Sequence, residues 1–503
     1  MTITARPIPP AHRSRRLRLI DVLDGTEMKV TDQTVVNETD IIGLTCDSRQ
    51  VEPGFIFAAL PGTELDGRDY IDDALGRGAA CVLAPEGTSI NEASVPLLRD
   101  ANPRRQYALM ASAFFETQPD LIAAVTGTNG KTSVVTFLRQ IWTGLGAKAA
   151  SAGTLGIVAK GFENRKSLTT PDSAELHRNL RDLARFGIRR LALEASSHGL
   201  SQHRLDGVRV AIAGFTNLTR DHLDYHGSMD DYLATKLRLF TEIIAADGTA
   251  VINADGEFAG AVETACRDRG LKVMTYGEAG ADVRLDASEV VADGYQLDIT
   301  VAGKSVQVML PLIGGFQVSN ALSALALAVA SGEDAQACLA QLEQLKGAPG
   351  RVQLVGQHPT GAPVFVDYAH TPDALKSILQ GLRPHADGRL HVVFGCGGDR
   401  DIGKRAEMGA IAREEADVVI VTDDNPRTEV AADIRGEILA AVPSATEIAD
   451  RAEAIVAAVK GLRAGDILVV AGKGHEKGQV IGTETRPFDD VHVVRDALHK
   501  VSS

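Results

Sequence analysis

Short apolar runs alternate with longer amphipathic stretches along most of this chain. Leu121-Ile-Ala-Ala-Val125 is one such run. A glycine-rich turn follows it, and then the helical pattern of Val134 to Trp142. Arg190-Leu-Ala-Leu-Glu194, Val210-Ala-Ile-Ala213 and Thr249-Ala-Val-Ile-Asn253 repeat the theme. Apolar runs of this length, separated by helical patterns, predict the strands of a parallel α/β sheet. The stretch Val283 to Leu310 reads differently. It predicts antiparallel strands, with Asp293-Gly294 and Ala302-Gly303 as turns. Past residue 351 the α/β pattern returns in Val364-Phe-Val-Asp367, His391-Val-Val-Phe394, Val418-Val-Ile-Val421 and Ile467-Leu-Val-Val470. These predict a second doubly wound sheet, with Asp367, Gly395, Asp423 and Gly472 at the strand ends where ligands collect.

Three blocks follow from this pattern. Residues 1–102 hold short strand-like pieces (Gly54 to Leu60, Ala79 to Ala84) and turns such as Pro61-Gly62. Residues 103–347 contain the first α/β series, and 348–503 the second, with the Gly/Pro segment Lys346 to Arg351 as a hinge. At 503 residues more than one core is expected. The expected fold is α/β in three domains. A central parallel sheet carries a phosphate loop, flanked by a small N-terminal α/β domain and a C-terminal Rossmann-like one.

Composition narrows the function classes. Hydrophobic residues are 44% and charged residues 23%, as in ordinary globular proteins. A formal net charge of −14 argues against a general nucleic-acid or membrane-surface binder, either of which needs a basic face. It leaves room for an anionic substrate. Cys46, Cys81, Cys266, Cys338 and Cys396 are scattered, without a CxxC pair, which fits a reducing cytoplasm and neither a disulfide framework nor a zinc site. No apolar run approaches a membrane span. Arg6, Arg13, Arg15, Arg16 and Arg18 among prolines read as a flexible tail.

The chemistry starts at Thr126-Gly-Thr-Asn-Gly-Lys-Thr-Ser133. Backbone N–H groups at a glycine-rich turn opening a helix form an anion cradle. Lys131 can reach terminal phosphates and the Thr132 hydroxyl can hold Mg²⁺, so a nucleoside triphosphate is the expected ligand. Only two residues separate Gly127 from Gly130, against four in the usual loop. Glu194 ends an apolar strand, where a carboxylate can bind Mg²⁺. Thr216 to Gly227 packs Arg220, Asp221, His222, Asp224 and His226 behind another strand, and His222 is a candidate metal ligand. Lys236 lies on the helical pattern Met229 to Ile243, where residue physics alone reads it as an exposed lysine. Further on, Gly395 to Arg405, Asp423 to Arg427 and Gly472 to Glu476 place charged loops after strands. So many charges on one edge suit a zwitterion: Arg for carboxylate, Asp and Glu for ammonium.

Taken together, Gly127 to Ser133, Glu194-Ala-Ser-Ser-His-Gly-Leu200, Thr216 to Gly227, Asp367-Tyr-Ala-His-Thr-Pro-Asp373 and Gly397-Gly-Asp-Arg-Asp401 resemble the Mur ligases, over nearly the whole chain. Folylpolyglutamate synthetases share the phosphate loop but are not expected to carry the third-block set. The resemblance implies an ATP-dependent ligase of peptidoglycan precursor biosynthesis. It would phosphorylate the D-Glu side-chain carboxylate of UDP-N-acetylmuramoyl-L-Ala-D-Glu and let an amino acid's amine attack the acyl phosphate.

The resemblance also assigns roles. Gly127, Thr128, Asn129, Gly130, Lys131, Thr132, Ser133, Asn320, Arg351 and Asp367 would bind ATP. Lys131, Glu194, His222 and Lys236 would be the catalytic set. Mg²⁺ would be held by Thr132, Glu194, His222 and Lys236, the last as its carbamate (N6-carboxylysine). Cys46, Ser48, Thr63, Glu64 and Leu65 would meet the uridine nucleotide, and Thr169, Thr170, Ser196, Gln202 and Arg204 the muramoyl-peptide. Arg400, Asp424, Asn425, Pro426, Arg427, Gly472 and Glu476 would bind the incoming amino acid. The form Asp424-Asn-Pro-Arg427 is the one associated with meso-2,6-diaminopimelate, whose second carboxylate Arg427 can pair. ATP would straddle the hinge, with domain closure gating catalysis.

The expected protein is a cytoplasmic monomer acting on three small molecules, with no nucleic-acid or membrane partner. The readings beside it are an L-lysine-adding relative, a P-loop ATPase switch and a catalytically inactive binding protein.

Overall fold

The computed structural model describes residues 16–26, 28, 33–62, 65–90, 95–162 and 168–502. The arginine-and-proline segment before residue 16, together with Thr63 and Glu64, lies outside them. The chain divides into two compact units. The first takes residues 1–126, 147–213 and 235–248, and the second residues 127–146, 214–234 and 249–503.

The first unit contains a four-stranded parallel sheet of Gly43–Thr45, Phe55–Ala58, Cys81–Pro85 and Leu97–Asp100, in that order. Alternation along each strand gives it two cores. Leu44, Ile56, Leu83 and Leu98 pack with Tyr107, Met110 and Phe114 of the helix Pro103–Phe115. Phe57, Val82 and Ala84 pack on the other side with Ile71 and Ala74. The same unit holds Leu121–Thr126, Arg190–Glu194 and Ala149–Gly153 as parallel neighbours, then Gly156–Ala159 antiparallel at the edge. The register sets Glu194 opposite Val125, one residue before the end of the phosphate-loop strand. The helix Ser173–Phe186 starts at Asp172, whose carboxylate accepts from the N–H groups of Ala174 (3.0 Å) and Glu175 (3.3 Å). It ends at Gly187, whose φ of 93° is the left-handed stop glycine tolerates.

In the second unit, residues 249–253 of the strand Ile244–Asn253 pair in parallel with Lys272–Gly277, which pairs with Val283–Val291. The strands Val283–Val291, Gly294–Val301 and Lys304–Leu310 form the expected antiparallel meander. Its first turn falls on residues 292–293, and Gly294 already opens the next strand. A six-stranded sheet follows in the order Gln353–Gln357, Pro363–Val366, Ile467–Val470, Leu390–Phe394, Val418–Val421 and Thr446–Glu447. The first pairing is antiparallel and the rest parallel. Phe365, Val392, Phe394 and Val469 fill the core on one face; Val364, Val366, Val393, Leu468 and Val470 fill the other. Burial on both faces explains why these strands read as unbroken apolar runs.

Candidate active site

The phosphate loop runs from the strand Leu121–Thr126 through residues 127–130 into the helix Lys131–Gly144. Gly127 has φ 148° and Gly130 φ 89°. A Cβ on Gly127 would overlap the Thr216 hydroxyl, and one on Gly130 would overlap Asn320 Oδ1. The two glycines thus allow a close approach no other residue permits. Residues 216–219 brace the loop. Asn217 Oδ1 accepts from Asn129 N–H (2.9 Å), Thr216 Oγ1 donates to the Asn129 carbonyl (2.7 Å), and the Thr219 N–H donates to Thr128 Oγ1 (3.0 Å). Asp373 ties in from the six-stranded part of this unit, accepting from Asn129 Nδ2 (2.9 Å) and Thr219 Oγ1 (3.0 Å). Lys131 Nζ folds onto its own loop, donating to the carbonyls of Gly127 (2.8 Å) and Thr128 (2.7 Å). Thr132 and Ser133 are buried at the helix start.

Three more expected nucleotide residues lie in this unit. Asn320 is buried, and its Nδ2 donates to Gln317 Oε1 (2.9 Å). The Arg351 guanidinium stacks 4.4 Å from the Tyr368 ring centre and approaches Thr132 Oγ1 at 3.5 Å. Asp367 accepts from the N–H groups of Val352 (2.7 Å) and Ala369 (2.6 Å). Burial raises its pKa above the ordinary carboxylate value, opposed in part by Arg351 and those two N–H groups. His222 is exposed in the left-handed region at φ 53°, with Nε2 3.4 Å from Asp221.

A second network forms in the first unit. Glu194 is 1% exposed, and its two oxygens accept from the N–H (2.9 Å) and the hydroxyl (3.0 Å) of Thr154. A Cβ at Gly153 would overlap the Glu194 side chain. The Thr154 hydroxyl also bonds Thr169 Oγ1 (3.0 Å). Thr170 Oγ1 donates to the Glu194 carbonyl (3.2 Å) and bonds the Ser196 hydroxyl (3.0 Å). Arg204 donates to the Thr170 carbonyl and to Gln202 Oε1, both at 2.6 Å. The five residues expected at the muramoyl-peptide are therefore linked to Glu194 by a chain of hydrogen bonds, with Thr170 bonding it directly. Lys236, on the helix Met229–Arg238, is 1% exposed, so the exposed-lysine reading of its position does not hold. In the loops after the small sheet's strands, Cys46 is exposed, Ser48 is buried and Leu65 is 66% exposed.

The third cluster gathers at the carboxyl ends of the six-stranded sheet. Asn425 is its centre. Its Nδ2 donates to Glu476 Oε2 (3.1 Å), and its Oδ1 accepts from Lys473 Nζ (2.9 Å) and the Val480 N–H (3.0 Å). Lys473 Nζ also donates to Glu476 Oε2 (3.0 Å) and lies 3.7 Å from Asp424. Burial alone would raise the Glu476 pKa; Lys473 and Asn425 outweigh it and hold it below the ordinary value. Arg427 sits at φ 52°. Its N–H donates to the Val480 carbonyl (3.1 Å), its carbonyl accepts from Gly482 (2.7 Å), and its guanidinium donates to the Gly398 carbonyl (2.7 Å). Gly472 has φ 111°, and a Cβ there would come 2.8 Å from Asp424 Oδ2. Pro426 is buried. Arg400 differs from the rest: it is exposed, and its guanidinium donates to the Asp399 carbonyl (3.2 Å).

Three family models match the chain. They are the Mur ligase family catalytic domain over residues 40–126, the Mur ligase middle domain over 125–328, and the Mur ligase glutamate ligase domain over 350–474. A protein of Caulobacter vibrioides named UDP-N-acetylmuramoyl-L-alanyl-D-glutamate--2,6-diaminopimelate ligase is 51% identical over 92% of this chain and 96% of its own. Its namesake in Bradyrhizobium diazoefficiens is 52% identical over 93% and 96%. The chain belongs to the Mur ligase family. A solved structure titled as a ligase of that same name covers 97% of this Mur ligase and 100% of its own chain, at 34% identity and a TM-score of 0.70.

Reading the sequence passed over two residues that the Mur ligase structure brings forward. Thr154, which holds Glu194, follows the strand Ala149–Gly153, and its position after a strand was the available signal. Lys473 was visible only as one charge in a loop; its complete burial is a tertiary fact.

Proposed function

We propose that this Mur ligase joins meso-2,6-diaminopimelate to the D-Glu side-chain carboxylate of UDP-N-acetylmuramoyl-L-Ala-D-Glu, at the expense of ATP. The observation that carries this reading is the third cluster, where Glu476 accepts from the Asn425 side-chain amide and Arg427 donates to the Asn425 backbone carbonyl. Diaminopimelate carries two zwitterionic centres. Arg427 would take the carboxylate that lysine lacks, and Glu476 an ammonium beside it.

ATP would lie on the loop 127–130, with Lys131 leaving its own carbonyls for the transferred phosphoryl group. A carboxylate oxygen of D-Glu forms a bond to the γ-phosphorus as the bond to ADP breaks. The amine then attacks the acyl carbon, the C–O bond to phosphate breaks, and the amine gives up a proton. Thr170, Ser196, Gln202 and Arg204 would orient the peptide carrying that carboxylate. Asn320, Arg351 and Asp367 would complete the nucleotide site. Cys46, Ser48 and Leu65 would meet the uridine end.

Mg²⁺ demands oxygen ligands. Among the described residues no three His, Cys, Asp or Glu side chains converge as a metal site. By donor chemistry alone, the Thr132 hydroxyl, the Glu194 carboxylate and a carbamate on Lys236 are each oxygen ligands of the kind the ion takes, with His222 a further candidate. Bound there, it would neutralise phosphate charge. No described helix is long and apolar enough to cross a membrane. We place the protein in the cytoplasm as a monomer of three domains, 1–102, 103–347 and 348–503.

The test is amino-acid-dependent phosphate release from ATP, Mg²⁺ and the UDP-muramoyl dipeptide. Turnover with meso-diaminopimelate and little with L-lysine is expected. Equal turnover of both would overturn the role of Arg427, and release without either amino acid would point to a plain ATPase.

A further inference from the structure

The most deeply buried charge at the third cluster is Lys473, with a side chain 0% exposed, and no part of the reaction above uses it. Burying an ammonium is costly unless it is paired and bonded. Lys473 has both compensations: Asn425 Oδ1 at 2.9 Å, Glu476 Oε2 at 3.0 Å and Asp424 at 3.7 Å. These partners are the residues expected to hold the amino acid.

Two consequences follow from the geometry. An asparagine amide can sit either way round. Here Oδ1 receives two donors, Lys473 and the Val480 N–H, so Nδ2 is forced toward Glu476. Both bonds to Glu476 fall on Oε2, which leaves Oε1 for an incoming ammonium. The charges also balance in a telling way. Asp424 and Glu476 bring two negatives against Lys473, while behind them Arg451 pairs with Asp490 at 2.8 Å, both 0% exposed. One negative charge is left over, and Arg427, in the same loop as Asp424, adds one positive, which together complement one ammonium and one carboxylate.

We propose that Lys473 is a positioning residue for amino-acid selection, holding Asn425 and the Glu476 carboxylate in the orientation that meets the ammonium of the incoming amino acid. This rests on the diaminopimelate reading above. Among the described residues, His475, Arg451 and Tyr368 also act on Glu476, while Asp399 acts on Arg427 and Cys396 on Asp424.

The test compares wild type with Lys473→Met, measuring KM for each substrate and the pH dependence of kcat/KM for diaminopimelate. KM for diaminopimelate should rise about ten- to a hundredfold, the range for hydrogen bonds to charged groups. KM for ATP and for the UDP-muramoyl dipeptide should stay within about twofold, and the acid limb should move to higher pH as Glu476 loses its cation. In a Glu476→Gln background the same substitution should add little, because Lys473 acts through that carboxylate. Lys473→Gln, which keeps a donor in the space, covers the case where the methionine variant does not fold. It should give a smaller KM rise with the same displaced limb. An unchanged KM for diaminopimelate, an equal rise for all three substrates, or full additivity with Glu476→Gln would overturn the proposal. Wild type that does not turn over diaminopimelate would instead remove the reading beneath it.

Discussion

The phosphate loop and the proposed amino-acid pocket solve the same problem, holding charge in place, by opposite means. The loop is one octapeptide between a strand and a helix, with its glycines pressed against Thr216 and Asn320. The pocket is drawn from loops after three strands, Leu390–Phe394, Val418–Val421 and Ile467–Val470, plus the short strand Gly478–Ile481. The loop binds with backbone N–H groups, which any sequence of the right shape supplies. The pocket would bind with side chains whose orientation depends on other buried side chains. A contiguous site can therefore be recognised locally, whereas an assembled one depends on residues that never touch the ligand.

Substitutions test this contrast. The largest effect is expected at Lys131→Ala, which should lower phosphate release roughly 10³-fold with the fold intact, since one phosphoryl donor is lost from a prepared site. Near-normal turnover would remove the loop from the chemistry. Next comes Arg451→Met. Arg451 donates 2.8 Å bonds to both oxygens of Asp490 and to the Ala471 carbonyl. Breaking a buried pair at one end costs about 3–5 kcal/mol. Thermal unfolding should show this loss. Diaminopimelate affinity should fall with it, while ATP titration of protein that remains folded stays unchanged. Equal damage to both ligands would erase the distinction.

Acid should separate scaffold from both sites. Burial pushes His177 down to about 4, and its Nε2 lies 3.1 Å from the Asp206 carbonyl. The unfolded chain, with an ordinary histidine near 6.5, binds the extra proton between those values. Stability is thus full above about 6.5 and declines as pH falls toward 4, by about 3 kcal/mol. Melting curves across that window should slope in wild type and in the Lys131→Ala and Arg427→Ala variants alike, and flatten in His177→Gln. A slope that survives in His177→Gln would assign it elsewhere. The smallest effect belongs to Arg427→Ala itself, about ten- to a hundredfold in KM for diaminopimelate. L-Lysine turnover should be little changed, and an equal loss with lysine would deny Arg427 its part in the choice.

Several strands of the α/β series were legible because strands buried on both faces must be apolar throughout, as in Leu390–Phe394 and Ile467–Val470. The phosphate loop was legible because its anion cradle is local. Thr154 was not, since a threonine after a strand is ordinary until a buried carboxylate is found against it. Lys236 read as a surface lysine because a helix pattern says nothing about which neighbour covers a given face. The structure buries it.

On its own, then, the order of residues determined the alternating sheets, the phosphate loop and the family. Each rests on neighbours in sequence, whose spacing carries the physics. Tertiary structure decided that Glu194 is held by Thr154, that Lys236 and Lys473 are buried, and that Asn425 faces Glu476 with its amide nitrogen. Those facts turn on desolvation and on hydrogen-bond partners distant in sequence, 40 residues away for Glu194 and 51 for Glu476. A charge's surroundings exist only once the chain has folded around it.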